Sequence, residues 1–553
     1  MKKVIAILIV GLLVGAGIIG ILMLSTPDKT QTSERELIVE PYRFRADDGR
    51  LIELNQTAYF NGREGVGTAS PSIQSIAFRL YPASGTSTTC DRFYTAEGSG
   101  SGFAPYGLYA YNSTNGGNQW IFETGSKIST KVLVNNFGSE TNASAADLRI
   151  FFGCENGKLY ILRDSFLDPI YGPSPPAGNN VWAYTLDGGV VGIAYSDVRG
   201  GWLPHLKANP FNNYDSFFVS TKNGTLYAFE GPTPIINSLT GQYNVTNPTL
   251  LWKRHISNVS LTSPTVSETG DSVFIGTIDG LLYGIDVASG LDIPEWNGPY
   301  RISYSYWTTS PVAVGAPVKI YATTSEGFIH CLWGSNGTVK SGWTHIENQV
   351  LNNGIQVRNK RYEVDGGNLT DIFMVPDGSY LLFGSDTGVV YSINTNTINV
   401  SIAFDTRIGT QDTEVNVMPY YDWRFSRYLF VTARHLNNTI TNPSDDFSII
   451  YCLASPGNST VIWRLVKNGV MVASPICYIN MNHLGSSDVV FSTTIFDLNG
   501  TPIAGKMYSY SSSGGCIEIN EKSIPGFDLL TISVATITAV AIVKITRKTT
   551  RKK

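Results

Sequence analysis

The chain has 553 residues, a formal net charge of −4 and 15% charged residues, against a usual charged fraction of about 25%. Its evident basic cluster lies at the C-terminal end, in Lys544, Arg547, Lys548, Arg551, Lys552 and Lys553. This distribution argues against a nucleic-acid partner, which requires a basic stripe on the folded domain.

The chain begins with a membrane signal. Lys2 and Lys3 precede an uncharged apolar stretch from Val4 to Leu24, which at about 1.5 Å per residue is long enough to cross roughly 30 Å of hydrocarbon. Residues 1–24 are predicted to be a signal peptide or a retained signal-anchor helix, and the sequence leaves both open. Residues 25–50 are predicted to be a polar spacer.

One short phrase then recurs eight times: a Gly, one residue, an aliphatic residue, a Tyr, a small residue and a large apolar residue. Gly224-Thr225-Leu226-Tyr227-Ala228-Phe229 is a clean copy. A recurrence of this size indicates a repeat architecture. The residues in the Tyr position form a repeat column: Tyr109, Tyr160, Tyr227, Tyr283, His330, Tyr391, Tyr451 and Tyr508.

Each unit is predicted to contain four antiparallel strands. Turns such as Asn156-Gly157 and Asp279-Gly280 are typical of a tight hairpin between two of them. A third strand is predicted after Ser-Pro, at Ser70-Pro71, Ser263-Pro264, Ser310-Pro311 and Ser474-Pro475. A fourth is predicted at an aromatic residue, namely Trp120, Trp182, Trp252, Trp296, Trp343, Phe404 or Trp463. Residues 51–522 are therefore predicted to form an all-β, eight-bladed β-propeller.

These repeats resemble those of pyrroloquinoline quinone-like (PQQ-like) β-propellers. In that family a Ser/Thr-Gly pair followed by Trp joins neighbouring blades, and Ser289-Gly290 before Trp296 is similar. The resemblance specifies a fold more strongly than a function. It also implies an alternative function, that of a PQQ-dependent quinoprotein dehydrogenase with calcium.

No constellation for that chemistry is evident in the sequence. The alcohol-oxidising branch of the family has adjacent cysteines over the cofactor, and this chain has no adjacent cysteines. The histidines are scattered, without a metal-binding spacing, and His330 is interpreted as a packed strand residue. No catalytic, cofactor-binding or metal-binding residue and no cofactor is predicted.

The chain ends in a second membrane signal, residues 523–553. Leu529 to Val543 carries no charge and is followed by the basic tail. Because positive flanks stay in the cytoplasm, both ends are predicted to point inward, with the propeller on the extracytoplasmic side of the cell membrane.

Pro525-Gly526-Phe527, just before this apolar stretch, resembles the carboxy-terminal sorting signal of archaeal surface proteins. The resemblance implies that the tripeptide is a processing site, that the helix is removed and that a lipid replaces it. A plain single-span anchor is the alternative, and the sequence does not decide between them.

The cysteines and the glycosylation sequons are left largely unassigned. Cys331 and Cys452 follow the repeat column, where small side chains predominate, and are predicted to be free thiols. No pairing is assigned to Cys90, Cys154, Cys477 and Cys516, and the sequence leaves open one bridge near the ring closure. Asn-x-Ser/Thr sequons begin at Asn55, Asn112, Asn142, Asn223, Asn244, Asn258, Asn336, Asn368, Asn399, Asn437, Asn458 and Asn499.

Long polar excursions interrupt the repeats, and binding residues are common on such loops. They are Arg163 to Asn180, Asp197 to Asn213, Gly231 to Pro248, Ile346 to Leu369 and His435 to Phe447. The preferred function is a membrane-anchored, extracytoplasmic binding or scaffolding module for a protein, a glycan or a cell-envelope component. The partners expected are therefore the membrane and an unidentified protein or glycan ligand.

Overall fold

The structure is a computed structural model of the whole chain. The residues that it describes are 44–45, 51–54, 66–67, 73–82, 88–98, 105–112, 118–137, 147–164, 181–196, 216–230, 234–236, 243–245, 247–267, 269–302, 310–315, 317–324, 327–347, 350–353, 355–356, 358–359, 364–365, 372–374, 378–385, 388–398, 400–406, 413–421, 429–435, 447–455, 458–471, 476–480, 486–496, 502–511 and 516–519.

Eight four-stranded antiparallel sheets are present among these residues. Sheets 1 to 4 consist of Ile73–Pro82, Thr88–Glu97, Gly107–Asn112 and Asn118–Glu123; Leu133–Phe137, Asp147–Gly153, Lys158–Arg163 and Val181–Thr185; Val190–Ser196, Ser216–Thr221, Thr225–Glu230 and Thr249–His255; and Thr265–Val266, Ser272–Gly276, Leu281–Asp286 and Tyr300–Arg301.

Sheets 5 to 8 continue this order, and the last one borrows a strand from the start of the chain. They consist of Val312–Val314, Lys319–Thr323, Phe328–Trp333 and Ile355–Gln356; Phe373–Met374, Tyr380–Gly384, Val389–Asn394 and Val400–Asp405; Thr413–Tyr421, Leu429–His435, Phe447–Ser455 and Asn458–Asn468; and Ile476–Asn480, Ser486–Phe496, Pro502–Ser511 and Val66–Gly67.

Both ends of the described chain meet beside sheet 7. Leu51–Leu54 pairs with Cys516–Ile519 on one side and with Phe44–Arg45 on the other, which makes a three-stranded sheet. Two of its strands contact Asn458–Asn468, the fourth strand of sheet 7.

The sheets form because their strands are apolar on both faces. Neighbouring residues of a strand point to opposite faces. Phe152 accordingly packs toward sheet 1 with Tyr94, whereas Phe151 packs toward sheet 3 with Phe217. Strands of each sheet contact the next sheet in order, and strands of sheet 8 contact sheet 1. Six described apolar clusters fill the junctions from sheets 1 and 2 to sheets 6 and 7.

Glycine lets an indole dock across two of these junctions. The ring of Trp252 in sheet 3 lies against Gly290, and that of Trp296, between the third and fourth strands of sheet 4, lies against Gly337. Each indole Nε1 donates a hydrogen bond to the backbone carbonyl three residues before that Gly: Trp252 to Val287 at 2.8 Å and Trp296 to Gly334 at 2.9 Å. A Cβ on Gly290 would lie 2.7 Å from the indole of Trp252.

The junction of sheets 5 and 6 departs from this rule. Ile398 stands where the other two have Gly and has a φ of 60°, a left-handed value rare for a branched residue. The Nε1 of Trp343 has no hydrogen-bond partner among the described residues. Lys340 Nζ instead lies 3.5 Å from the carbonyl oxygen of Thr395, the equivalent acceptor.

The sequence-based expectations meet mixed outcomes. Three of the four Ser-Pro pairs directly precede a first strand, and Ser70-Pro71 ends one residue before its strand. The turn glycines such as Gly157 and Gly280 have positive φ, as expected. Trp296 and Trp343 were expected in fourth strands. They lie instead in the connections that precede those strands, because the chain reaches the indole site before it pairs again.

The terminal segments, residues 1–24 and 523–553, and the tripeptide Pro525-Gly526-Phe527 lie outside the described residues. Within the described part of the chain, no helix is long and apolar enough to span a membrane.

A glycine pair tests the indole docking. Gly290→Ala should destabilise the fold by about 1 kcal/mol or more beyond Gly298→Ala, because overpacking against Trp252 adds to the left-handed strain common to both. Gly298 has a φ of 88° and open space around a Cβ, so it isolates the backbone term. Urea unfolding of both variants measures the difference, and equal destabilisation would contradict the docking.

Candidate binding face

The order of the strands determines at which of the two ends of a sheet each connection lies. In each sheet except the last, four antiparallel strands follow one another along the chain. The connections from first to second and from third to fourth strand therefore lie at the same end of the sheet. We call this end the insertion face. The opposite end is called the hairpin face. It carries the tight turns between second and third strands, with Gly157, Gly224 and Gly280.

Three of the five excursions leave from the insertion face. Arg163 to Asn180 connects the third and fourth strands of sheet 2. Asp197 to Asn213 and Gly231 to Pro248 both belong to sheet 3. Ile346 to Leu369 is divided, since its first part precedes the fourth strand of sheet 5 and its second part follows it. His435 to Phe447 lies on the hairpin face.

Two excursions on the insertion face contain paired strands of their own. Pro234–Ile236 pairs with Tyr243–Val245 in the excursion of sheet 3. Thr344–Glu347 pairs with Val350–Asn353 in that of sheet 5. A further pair, Arg358–Asn359 with Val364–Asp365, lies between sheets 5 and 6. The insertions of sheets 3 and 5 therefore begin as defined hairpins.

An aromatic floor lies at the strand ends from which the three excursions of sheets 2 and 3 leave. It consists of Phe151, Trp182, Tyr195, Phe217 and Phe229. Phe217 stacks on Phe229 with centroids 5.0 Å apart, and Trp182 meets Phe229 edge-on at 5.7 Å. Contacts of this kind are favourable beyond the area that they bury. The floor fixes the strand ends from which the insertions depart.

A buried ion pair fixes a second point of departure. Asp164, the first residue after the third strand of sheet 2, accepts a hydrogen bond of 2.6 Å from Arg92 in sheet 1. The Tyr94 hydroxyl also donates to Asp164, and the guanidinium lies 5.9 Å from the ring centroid of Trp120. Both charged side chains are buried, at 5% and 11% exposure.

Removing half of this pair should be costly. Arg92→Ala should reduce the free energy of unfolding by about 3 kcal/mol or more, because it leaves the carboxylate of Asp164 buried without its cation. Lys222→Ala is the control, since its ion pair with Glu155 is exposed and should contribute less than about 1 kcal/mol. Chemical denaturation measures the free energy of unfolding of both variants. A loss for Arg92→Ala no larger than that for Lys222→Ala would contradict the importance of the buried pair.

A column of short polar side chains stabilises the hairpin face. Thr221, Thr277 and Thr324 each stand three residues before the turn Gly, and each hydroxyl oxygen accepts the backbone N–H four residues ahead, at 3.1 to 3.2 Å. Sequence reasoning missed this column, although its spacing before the turn Gly is visible in the sequence. Cys154 occupies the same position in sheet 2, with Ser385 in sheet 6.

Cys154 and Cys331 are free, buried thiols. The prediction for Cys331 is confirmed, and Cys154, which was left unassigned, has the same state. The side chains of Cys90, Cys452, Cys477 and Cys516 lie outside the described set. Burial raises the pKa of both free thiols to about 12.

These pKa values predict low reactivity and a pH limit. At pH 8 a disulfide reagent should label Cys154 and Cys331 slowly in folded protein and rapidly in urea, because the thiolate is the nucleophile. Because the pKa of each thiol is higher in the folded than in the unfolded chain, the protonated, buried thiols contribute to stability below pH 9. This contribution should be lost between about pH 9 and 12. Rapid labelling of folded protein at either site, read by peptide mass spectrometry, would contradict this.

The repeat column lies in the third strands of the eight sheets. Tyr160 packs on Phe122 of the preceding sheet at 5.3 Å between centroids. Tyr227 accepts the backbone N–H of Asp187 through its hydroxyl at 3.2 Å, and burial raises its pKa to about 12. His330 is buried in its strand. The side chain of Tyr508 is outside the described set.

The structure brings no metal-binding constellation together in the part of the chain that it describes, where no three His, Cys, Asp or Glu side chains form a possible metal group. Aromatic side chains can stack on sugars, but those of two aromatic runs in the sequence, Tyr304 to Trp307 and Tyr420 to Tyr428, lie outside the described set.

No family model and no curated protein matches the chain. Among solved structures, Sqt1 of Saccharomyces cerevisiae, a WD40 propeller, aligns with a TM-score of 0.50 and 11% identity over 83% of this chain and 99% of that chain. BamB of Moraxella catarrhalis, a β-propeller with PQQ-like repeats, aligns with a TM-score of 0.40 and 13% identity over 80% of this chain and 98% of that one. The likeness to Sqt1 shows the fold, so the chain has four-stranded antiparallel sheets in a propeller-like arrangement.

Proposed function

We propose that this chain is a membrane-anchored, extracytoplasmic eight-bladed propeller that binds a protein partner through its insertion face. One observation carries the proposal: three of the five long excursions leave from the same end of two adjacent sheets, 2 and 3, where the aromatic floor packs the strand ends together. Variable loops on a rigid scaffold are a common way to build a binding surface.

The eight four-stranded sheets support eight blades. Contacts run from each sheet to the next and from sheet 8 back to sheet 1, and Val66–Gly67 completes sheet 8. A closed ring leaves short, protected sheet edges, which suits a monomeric scaffold. The insertion face would then be one circular end of this ring.

The pairing of the two chain ends supports a common attachment point. Leu51 pairs with Ile519 and Leu54 with Cys516, so the segments leading to both terminal apolar stretches start side by side. The ten residues from Ile519 to Leu529 reach at most about 35 Å. The propeller would therefore stand close to the membrane, whether the C-terminal helix is retained or is replaced by a lipid after processing at Pro525-Gly526-Phe527.

One of the similar solved structures contains a bound protein segment. One Sqt1, from Chaetomium thermophilum, has been solved bound to the N-terminus of the ribosomal protein L10; it aligns with a TM-score of 0.46 and 10% identity over 83% of this chain and 100% of that one. The proposal of a protein partner rests on the insertion face of this chain and not on that alignment.

Site-specific photo-crosslinking in native cells tests the binding face. A photoreactive amino acid at Ser196 or Glu230, where excursions leave sheet 3, should give discrete protein adducts. The matched positions Glu155 and Lys222 lie in turns of the hairpin face and are exposed. Adducts from these controls with none from the insertion face would refute the assignment of the face.

Labelling of intact cells tests the location. A membrane-impermeant amine reagent should modify Lys158 and Lys253, which are exposed, as fully in intact cells as in lysed cells. Modification only after lysis would place the propeller inside the cell.

A further inference from the structure

The same tripeptide, Asn-Gly-Thr, occurs in two described turns with different surroundings. Asn223-Gly224-Thr225 is a turn of the hairpin face in sheet 3. Asn336-Gly337-Thr338 follows the third strand of sheet 5 and so leaves from the insertion face. Both are sequons for N-linked glycosylation, and their tripeptides are identical, so a comparison of the two sites tests the effect of their surroundings.

The side chains of the sequon at Asn223 are engaged in hydrogen bonds with the rest of the fold. Asn223 Nδ2 donates a hydrogen bond to the backbone carbonyl of Asp187 at 2.5 Å. Thr225 Oγ1 donates to the Asp187 carboxylate at 2.8 Å, and Thr225 is buried. A Cβ on Gly188 would lie 2.6 Å from the Asn223 side chain. A sugar on this nitrogen would replace one of its two hydrogens and crowd the connection between sheets 2 and 3.

The side chains of the sequon at Asn336 make no hydrogen bond to the rest of the described fold. Asn336 Oδ1 accepts the Thr338 backbone N–H at 3.0 Å and the Thr338 hydroxyl at 2.8 Å. Among the described residues, these bonds within the sequon are the ones that its two side chains make. Asn336 is half-buried, Thr338 is exposed, and the tight packing in this turn falls on Gly337, against Trp296.

We infer that Asn336 is a glycosylation site of the folded chain and that Asn223 is not. Transfer joins Asn336 Nδ2 to the anomeric carbon of a sugar carried on a polyprenyl diphosphate. The bond from that carbon to the phosphate oxygen breaks, the lipid diphosphate leaves, and the amide nitrogen gives up one proton. The glycan would stand on the insertion face, where the chain leaves the third strand of sheet 5.

This inference rests on the proposed function, because a lipid-linked sugar and its transferase meet only exported chains. The acceptor geometry is nevertheless testable without export. The probe is a single-subunit oligosaccharyltransferase that requires only Asn-x-Ser/Thr, with N-acetylglucosamine on a polyprenyl diphosphate. The substrates are unglycosylated, folded full-length chain and synthetic peptides covering residues 219–229 and 332–342.

The two peptides should accept the sugar at similar rates, whereas the folded chain should be modified at Asn336 at least about tenfold faster than at Asn223, since the latter must first lose its hydrogen bonds. Thr338→Ser should keep the modification at Asn336 and Thr338→Ala should abolish it. Site occupancy is read by peptide mass spectrometry. Equal rates at the two sites of the folded chain, or an unmodified Asn336 whose peptide is accepted, would overturn the inference.

Protein isolated from its native membrane separates this inference from the proposed function. A glycan at Asn336 with none at Asn223 is the expected result. If Asn336 is accepted in vitro but carries no glycan in the native protein, modification in the cell is refuted and the export is called into question, while the acceptor geometry stands.

Discussion

The structure depends on strands that are apolar on both faces. Adjacent residues of one strand, such as Phe151 and Phe152, are buried against two different neighbouring sheets. Such a sheet exposes a large apolar surface unless both neighbours are present, and that exposure is unfavourable by about 25 cal/mol per Å². Each sheet therefore stabilises the next.

The junctions are built from one plan but are unequal. Trp252 and Trp296 each dock on a left-handed Gly and donate to a carbonyl, whereas at the next junction Ile398 replaces the Gly and Trp343 donates to none of the described residues. That junction is held instead by an apolar cluster that includes Trp343, Tyr321 and Leu381. A repeat fold tolerates the loss of one device because each junction has several.

Much of the fold is predictable from the sequence because its determinants are local. A turn Gly and the alternation around a column Tyr lie within a few residues of each other, and both specify the hairpin of the second and third strands. The closure of sheet 8 was not predictable, since Val66–Gly67 and Pro502–Ser511 are distant in sequence. Neither was the pairing of Arg92 with Asp164, because contacts between sheets leave no spacing signal. The insertion face could be defined only from the order of the strands, which shows which excursions leave from the same end of the sheets.

The proposed scaffold depends on closure of the ring at sheet 8. In the structure Val66 pairs with Met507 and Gly67 with Lys506. Val66→Pro removes a backbone donor and disfavours pairing of this short strand. Hydrogen exchange of the amides in Pro502–Ser511 is the most direct measurement. Closure predicts faster exchange there in the variant, with Thr225–Glu230 in sheet 3 unchanged. Protection of Pro502–Ser511 equal to that of the unmodified chain would contradict it.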